Sequence, residues 1–180
     1  MSKCVTIVDY GIGNLWSVCS ALQYLGHNSV VSSTPSEIAK ADVLIVPGVG
    51  SFRTAMLKLQ DNQLDEAILE AVVEKKRKII GICLGMQLLA MHSTEDGETR
   101  GLGLIPTEVE KFDIDVMGSL KVPHIGFNEV RSQDQSVLFK NIAPSSDFYF
   151  VHSYYVRPKD QSLVALTANY GTDFCAAISR

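Results

Sequence analysis

The sequence lacks a long apolar run, a basic excess and any cysteine pairing pattern, and each absence removes a class of function. No apolar stretch approaches the ~20 residues of a membrane-crossing helix. The opening MSKCVTIVDYG does not read as a signal peptide, because its apolar run is short and passes straight into a turn. Lys+Arg number 16 against 20 Asp+Glu, a net charge of −4. A nucleic-acid footprint needs a basic face, so none is expected. The four cysteines, Cys4, Cys19, Cys83 and Cys175, show neither CxxC spacing nor the histidine pairing of a zinc site. No metal and no cofactor are therefore expected. Cys4 and Cys175 lie in apolar stretches and read as core residues. A reduced, cytoplasmic setting follows as the default, and a reactive free thiol is compatible with it.

What is present is enough to fold. Hydrophobic residues make up 46% of 180 residues, which suits one domain over 1–180 with a real core. Short apolar runs at Cys4–Val8, Asn28–Val31, Asp42–Val46 and Lys78–Ile82 alternate with helical patterns. In the first helix Leu15, Val18, Cys19, Leu22 and Leu25 recur at helical spacing, with Gly26 as a stop signal. Further helices are expected over Phe52–Gln60, from an Asn62 cap to about Lys76, and over Leu84–His92. Strands buried on both faces and alternating with helices predict an α/β fold, its central sheet mostly parallel and flanked by helices. From Glu95 the texture changes. Thr107–Lys111, Lys121–His124, Asn128–Val130, Phe148–Val156, Leu163–Thr167 and Phe174–Ser179 predict strands, punctuated by Gly, Pro, Asn and Asp. They imply an antiparallel or mixed extension in the C-terminal half.

The segment richest in chemistry is Lys78-Ile-Ile-Gly-Ile-Cys-Leu-Gly-Met-Gln87. It is a strand, then Gly81-x-Cys83-x-Gly85, then a helix, the arrangement of a nucleophile elbow with cysteine in place of serine. Small neighbours let a substrate approach. A thiol at a helix N-terminus is expected to favour thiolate, and the Leu84 N–H can face an oxyanion. The motif alone fits an inert turn cysteine equally well. Pro47-Gly-Val-Gly-Ser-Phe52 follows the preceding strand, and its glycines allow a peptide N–H to turn toward a ligand. In a parallel sheet the loops at strand C-termini share one rim. One rim then holds a thiol and an N–H donor loop, the pairing that acyl transfer needs.

Six segments in order now carry a resemblance. They are Asp9-Tyr-Gly-Ile-Gly-Asn14, Pro47–Gly50, Gly81–Gln87, Gly101-Leu-Gly-Leu-Ile-Pro106, Pro123-His124 with Gly126 and Asn128, and Phe150-Val-His-Ser-Tyr154. Together they resemble class I glutamine amidotransferases, in particular the glutaminase subunits of imidazole glycerol phosphate synthase, over nearly the whole chain. The resemblance implies a flavodoxin-like sheet and hydrolysis of glutamine through a thioester on Cys83. It implies that Val49, Gly50 and Leu84 form the oxyanion hole, with a peptide rotation around Gly48–Gly50 as a switch. Gly48, Gln87, Ser153 and Tyr154 would contact glutamine. Gly11, Gly13, Asn14, His124, Phe127 and Asn128 would lie toward a (β/α)₈-barrel synthase subunit that consumes the ammonia, making a heterodimer. Phe127 departs from the family's usual Trp.

The family takes its base and orienting carboxylate from a C-terminal His-Pro-Glu, and no His-x-Glu occurs in this sequence. The expectation is that the natural protein continues past Arg180 with that motif, and that these 180 residues alone do not turn over. His27 reads as exposed, His92 as a helix C-terminal charge, His124 as core or partner-facing and His152 as part of substrate binding. Three rival readings remain: a paralogue feeding ammonia to a surface-sugar enzyme, a catalytically silent regulatory subunit, and a nucleotide-binding domain. The last rests on Asp9–Asn14 opening a helix, but Trp16 stands where a phosphate loop has its third glycine, and no Walker lysine follows.

Overall fold

The apolar runs of the first half become parallel strands, and the helical patterns between them become short helices. In order these are β1 (Val5–Val8), α1 (Leu15–Tyr24), β2 (Ser29–Ser32), α2 (Pro35–Ile38), β3 (Val43–Gly48), α3 (Phe52–Asp61), α4 (Leu64–Leu69), β4 (Lys78–Cys83), α5 (Leu84–Leu88) and a small hairpin of β5 (His92–Ser93) and β6 (Thr99–Arg100). The computed structural model describes residues 4–132, 139, 143 and 145–180, in two compact units that meet in sequence between Leu104 and Ile105.

In the first unit the sheet order is β2-β1-β3-β4, all parallel. Its core is made by Ile7, Val8, Leu44 and Val46 from the strands and by Phe52, Leu59, Leu64, Ile68 and Leu88 from the helices, all fully buried. Each such side chain contributes about 1.5–3 kcal/mol. Helix α3 shows why it packs: Phe52, Ala55, Met56 and Leu59 follow the i, i+3, i+4, i+7 spacing of one buried face, and Ser51 caps it by accepting the Thr54 N–H.

Several elements differ from expectation for local reasons. Strand β3 runs through Pro47-Gly48 instead of ending before them. Asn62 closes α3 by donating to the Lys58 carbonyl at 2.7 Å, and Gln63, at φ 58°, begins α4. The helical run continues as a π turn over Glu70–Glu74. Helix α5 stops at Leu88, short of His92, because the N–H groups of Leu102, Gly103 and Gly101 take the carbonyls of Leu88, Ala90 and Met91. No residue of α1 is buried, contrary to its apolar spacing, since it packs beside the outer strand β2. Cys4 is exposed instead of core, because it precedes the first paired residue of β1, whereas Cys175 is buried as expected.

The strands of the second unit pair antiparallel. It comprises β7 (Thr107–Lys111), a short α6 (Ile114–Met117), β8 (His124–Ser132), β9 (Ser145–His152), β10 (Tyr154–Pro158), β11 (Val164–Tyr170) and β12 (Thr172–Ile178), ordered β7-β10-β12-β11-β8-β9. Phe112, Met117, Val130, Leu166, Ala168 and Phe174 make its core. The single strand expected over Phe148–Val156 breaks at Ser153, and Lys121–Pro123 is a loop with a cis Val122–Pro123 bond.

Candidate active site

Cys83 stands where β4 turns into α5, with φ 55° and ψ −116°. A non-glycine residue in that region stores about 1–3 kcal/mol of backbone strain, which the surrounding packing must hold. The flanking glycines explain how. A Cβ on Gly81 would lie 2.5 Å from the Met86 nitrogen, and a Cβ on Gly85 would be driven into the Val46 carbonyl. Glycine at both positions lets α5 close onto β3 and β4, and that closure forces the turn at Cys83. The elbow is therefore built by the backbone.

Strand register then sets the partner of the thiol. In the parallel β3–β4 ladder Gly48 lies opposite Cys83. The chain leaves β3 there through Val49 and Gly50, so this loop begins directly beside Cys83. Gly50 has φ +91°, and a Cβ on it would meet nothing, so its glycine serves conformation and not space. Val49 is exposed. The loop is anchored downstream: Ser51 caps α3, and the Phe52 N–H donates to a Glu95 carboxylate oxygen at 2.7 Å. Glu95 was not legible as a site residue, since no spacing links it to position 52. Burial raises its pKa, the Phe52 N–H opposes that, and the Asp96 charge adds to it.

The thiol is accessible, yet the protein mass behind it removes water. Burial raises the Cys83 pKa above its ordinary value, and the Leu84 N–H pulls it the other way. The expected preference for thiolate is thus corrected. Desolvation is the larger influence and the Leu84 N–H the smaller. A resting, protonated thiol needs a base to become a nucleophile. Gln87 is buried on α5, one turn beyond the elbow.

The Asp9–Asn14 segment is tied up within the first unit. The Asp9 carboxylate accepts the Gly11 N–H at 2.9 Å, and the Asn14 side chain accepts the Ser17 N–H at 3.2 Å as the cap of α1. A Cβ added at Gly13, whose φ is +130°, would lie 3.6 Å from the Pro47 carbonyl carbon and oxygen. Side chains already take N–H groups that a phosphate would use, which argues against the nucleotide reading.

In the second unit Ser153 and Tyr154 form the break between β9 and β10, and their carbonyls are pinned. Ser153 accepts the Phe112 N–H at 3.0 Å, and Tyr154 accepts from His152 Nδ1 at 2.9 Å. A carbonyl only accepts, so His152 carries its proton on Nδ1 and offers Nε2 as an acceptor. His124 Nδ1 lies 3.0 Å from that Nε2 and donates to it. Phe150 and Phe174 pack against both rings, and Phe112 against His152. Burial lowers both pKa values, the neighbouring His152 also lowering His124 and the Tyr154 carbonyl opposing the shift of His152. His124 is 2% exposed, so it is a core residue and its side chain does not reach a partner. With both ring nitrogens engaged, His152 is no free base. Phe127 is 76% exposed, and Asn128 donates to the Asn169 carbonyl at 2.6 Å. Among the described residues no His/Cys/Asp/Glu cluster could hold a metal.

The profile of class I glutamine amidotransferases matches residues 6–180. The imidazole glycerol phosphate synthase subunit HisH of Syntrophotalea carbinolica is 45% identical over 98% of this chain and 86% of its own length. The protein of the same name from Moorella thermoacetica is 45% identical over 98% of this chain and 81% of its own. Among solved structures, one titled as a glutamine amidotransferase superposes with TM-score 0.69 at 17% identity, over 93% of this chain and 85% of that one, which shows a shared fold. An elbow cysteine beside a glycine loop, in a sequence this close to the HisH subunits, leads to one conclusion: the chain belongs to the class I glutamine amidotransferase family, among the imidazole glycerol phosphate synthase subunits.

Proposed function

We propose that this chain is the glutamine-hydrolysing subunit of an imidazole glycerol phosphate synthase in histidine biosynthesis. The observation that carries the reading is the register of Gly48 against Cys83, which sets a flexible N–H donor loop beside a strained elbow thiol. The Cys83 sulfur attacks the side-chain amide carbon of glutamine. The carbonyl oxygen becomes an oxyanion that accepts from the Leu84 N–H and from a peptide N–H of the Val49–Gly50 loop. Collapse breaks the C–N bond, the thiol proton goes to the departing nitrogen, and ammonia leaves a glutamyl thioester. Water then hydrolyses the thioester to glutamate and restores the thiol. Gly48 and Gln87 contact the amide end of glutamine, and the backbone of Ser153 and Tyr154 holds its amino-acid end. The pinned carbonyls of that turn support its role, because a preorganised backbone binds at lower entropic cost. His152 is not the base, because both its ring nitrogens are engaged. We place both units in one glutaminase domain, supported by the family profile that runs through them.

Ammonia passes to a (β/α)₈-barrel partner, and the relatives' names support a synthase of this kind. On the β8–β9 ladder Ile125 faces Val151 and Phe127 faces Tyr149, and all four are exposed. Such an apolar sheet face fits a protein partner. Gly11 and Asn14, both exposed, are assigned to the partner from the first unit, and Asn128 from the second. The test is labelling with the glutamine analogue 6-diazo-5-oxo-L-norleucine, mapped by peptide mass spectrometry. The label is expected on Cys83 and blocked by L-glutamine. Label on the exposed Cys4, or labelling indifferent to glutamine, would sink the reading.

A further inference from the structure

The oxyanion loop has a second clamp, upstream of the glycines, in a residue with no assigned role. Tyr10 lies just past β1 and is 2% exposed. Its hydroxyl donates to the Pro47 carbonyl at 2.7 Å. The same hydroxyl occupies the space that a side chain on Gly48 would need, while the Leu84 Cβ would lie 3.0 Å and the Gly85 nitrogen 3.2 Å from such a Cβ on the elbow side. Gly48 is thus wedged between a phenol and the helix that follows Cys83.

Resting on the glutaminase reading above, we propose that Tyr10 is a positioning residue for the oxyanion hole: its hydroxyl fixes the Pro47–Gly48 peptide and confines rotation to the peptides of Val49 and Gly50. Three observations converge on this division. Upstream, the Pro47 carbonyl is held by a buried donor. Downstream, Ser51 caps α3 and Glu95 holds the Phe52 N–H. Between them, Val49 is exposed and Gly50 has open space where its side chain would be. A short free segment between two fixed ends can swing an N–H toward the oxyanion without moving the strand beside Cys83. The glycines are then unequal: Gly48 is small to admit the phenol, and Gly50 to permit the swing. A phenol donates only while protonated. Burial, with the Cys83 charge next, raises the Tyr10 pKa, so the donor persists at any working pH.

Tyr10→Phe removes the hydroxyl and keeps the ring. The readout compares two reactions of Cys83 in the 180-residue chain. Acylation by the γ-p-nitrophenyl ester of glutamate passes through a tetrahedral oxyanion and needs no proton on its leaving group. Alkylation by iodoacetamide is a displacement with no oxyanion. Tyr10→Phe is expected to slow acylation about tenfold, with the alkylation rate and the half-saturating ester concentration within about twofold of wild type. Adding Gly48→Ala gives a second reading that survives if a single variant folds poorly. With the hydroxyl gone the new methyl has room on that side, so the double variant should lose less than the product of the single losses. Equal slowing of both reactions, no slowing, or additive losses overturns the role of Tyr10. A wild-type chain that iodoacetamide alkylates at Cys83 but the ester does not acylate there overturns the glutaminase reading and this proposal with it; normal wild-type acylation with an unaffected Tyr10→Phe overturns this proposal alone.

Discussion

The two units build their working parts by different means. In the first, the backbone does it: Gly81, Cys83 and Gly85 set an elbow, β3–β4 register sets Gly48 beside it, and side chains only clamp the ends. In the second, side chains do it: the His124–His152 pair, packed among phenylalanines, fixes the carbonyl of the Ser153–Tyr154 turn. The contrast teaches where each is fragile. A backbone-built site fails when a Cβ is added, whereas a side-chain-built site fails when a ring or its proton is changed.

The largest expected effect is therefore Gly85→Ala. Its methyl meets the Val46 carbonyl, which belongs to a buried strand and cannot give way. We expect a loss of about 3 kcal/mol or failure to fold, read by chemical denaturation. Stability within about 0.5 kcal/mol of wild type would show that the elbow is not closed by that contact.

Next comes His152→Ala. It leaves buried His124 without this acceptor and removes the His152 donor from the Tyr154 carbonyl. The expected cost is about 2 kcal/mol, with weaker glutamine binding by calorimetry. His152→Phe keeps the ring packing and cuts the bonds, so it should regain part of the stability but not the binding.

Acid should act on the same pair more mildly. Both histidines have folded-state pKa values below the ordinary 6.5, so the unfolded chain binds their protons more readily. Their contribution is present above about pH 6.5 and is lost as pH falls below it toward the lowered values. We expect a loss of about 1 kcal/mol between pH 7 and 5.5, reduced in His152→Phe. A melting temperature as sensitive to acid in that variant as in wild type would remove the pair from the explanation.

The smallest stability effect is expected for Phe127→Ala, under about 0.5 kcal/mol, because the ring is exposed. Association with a barrel subunit should weaken about 30-fold in the same variant. A large stability loss with unchanged association would reverse the assignment.

The same contrast explains what was legible in the sequence. The elbow was, because glycines at fixed spacing encode backbone geometry directly. The parallel strands were, because runs such as Asp42–Val46 admit few other readings. The His124–His152 pair was not: 28 residues separate its members, and only the β8–β9 register brings them together. Tyr10 sat within a quoted motif, but the target of its hydroxyl lies on another strand. The desolvation of the thiol was hidden too, since burial depends on packing that the Gly81–Gly85 motif does not encode.

The most direct test of the central claim is a crystal structure of the chain with the γ-semialdehyde of glutamate. Addition of the Cys83 thiol to the aldehyde gives a hemithioacetal whose oxygen stands where the oxyanion forms. We predict a Cys83 adduct with that oxygen in hydrogen-bond reach of the Leu84 N–H and of a peptide N–H in the Val49–Gly50 loop. An adduct whose oxygen faces solvent with that loop unturned, or an aldehyde bound away from Cys83, would contradict the account.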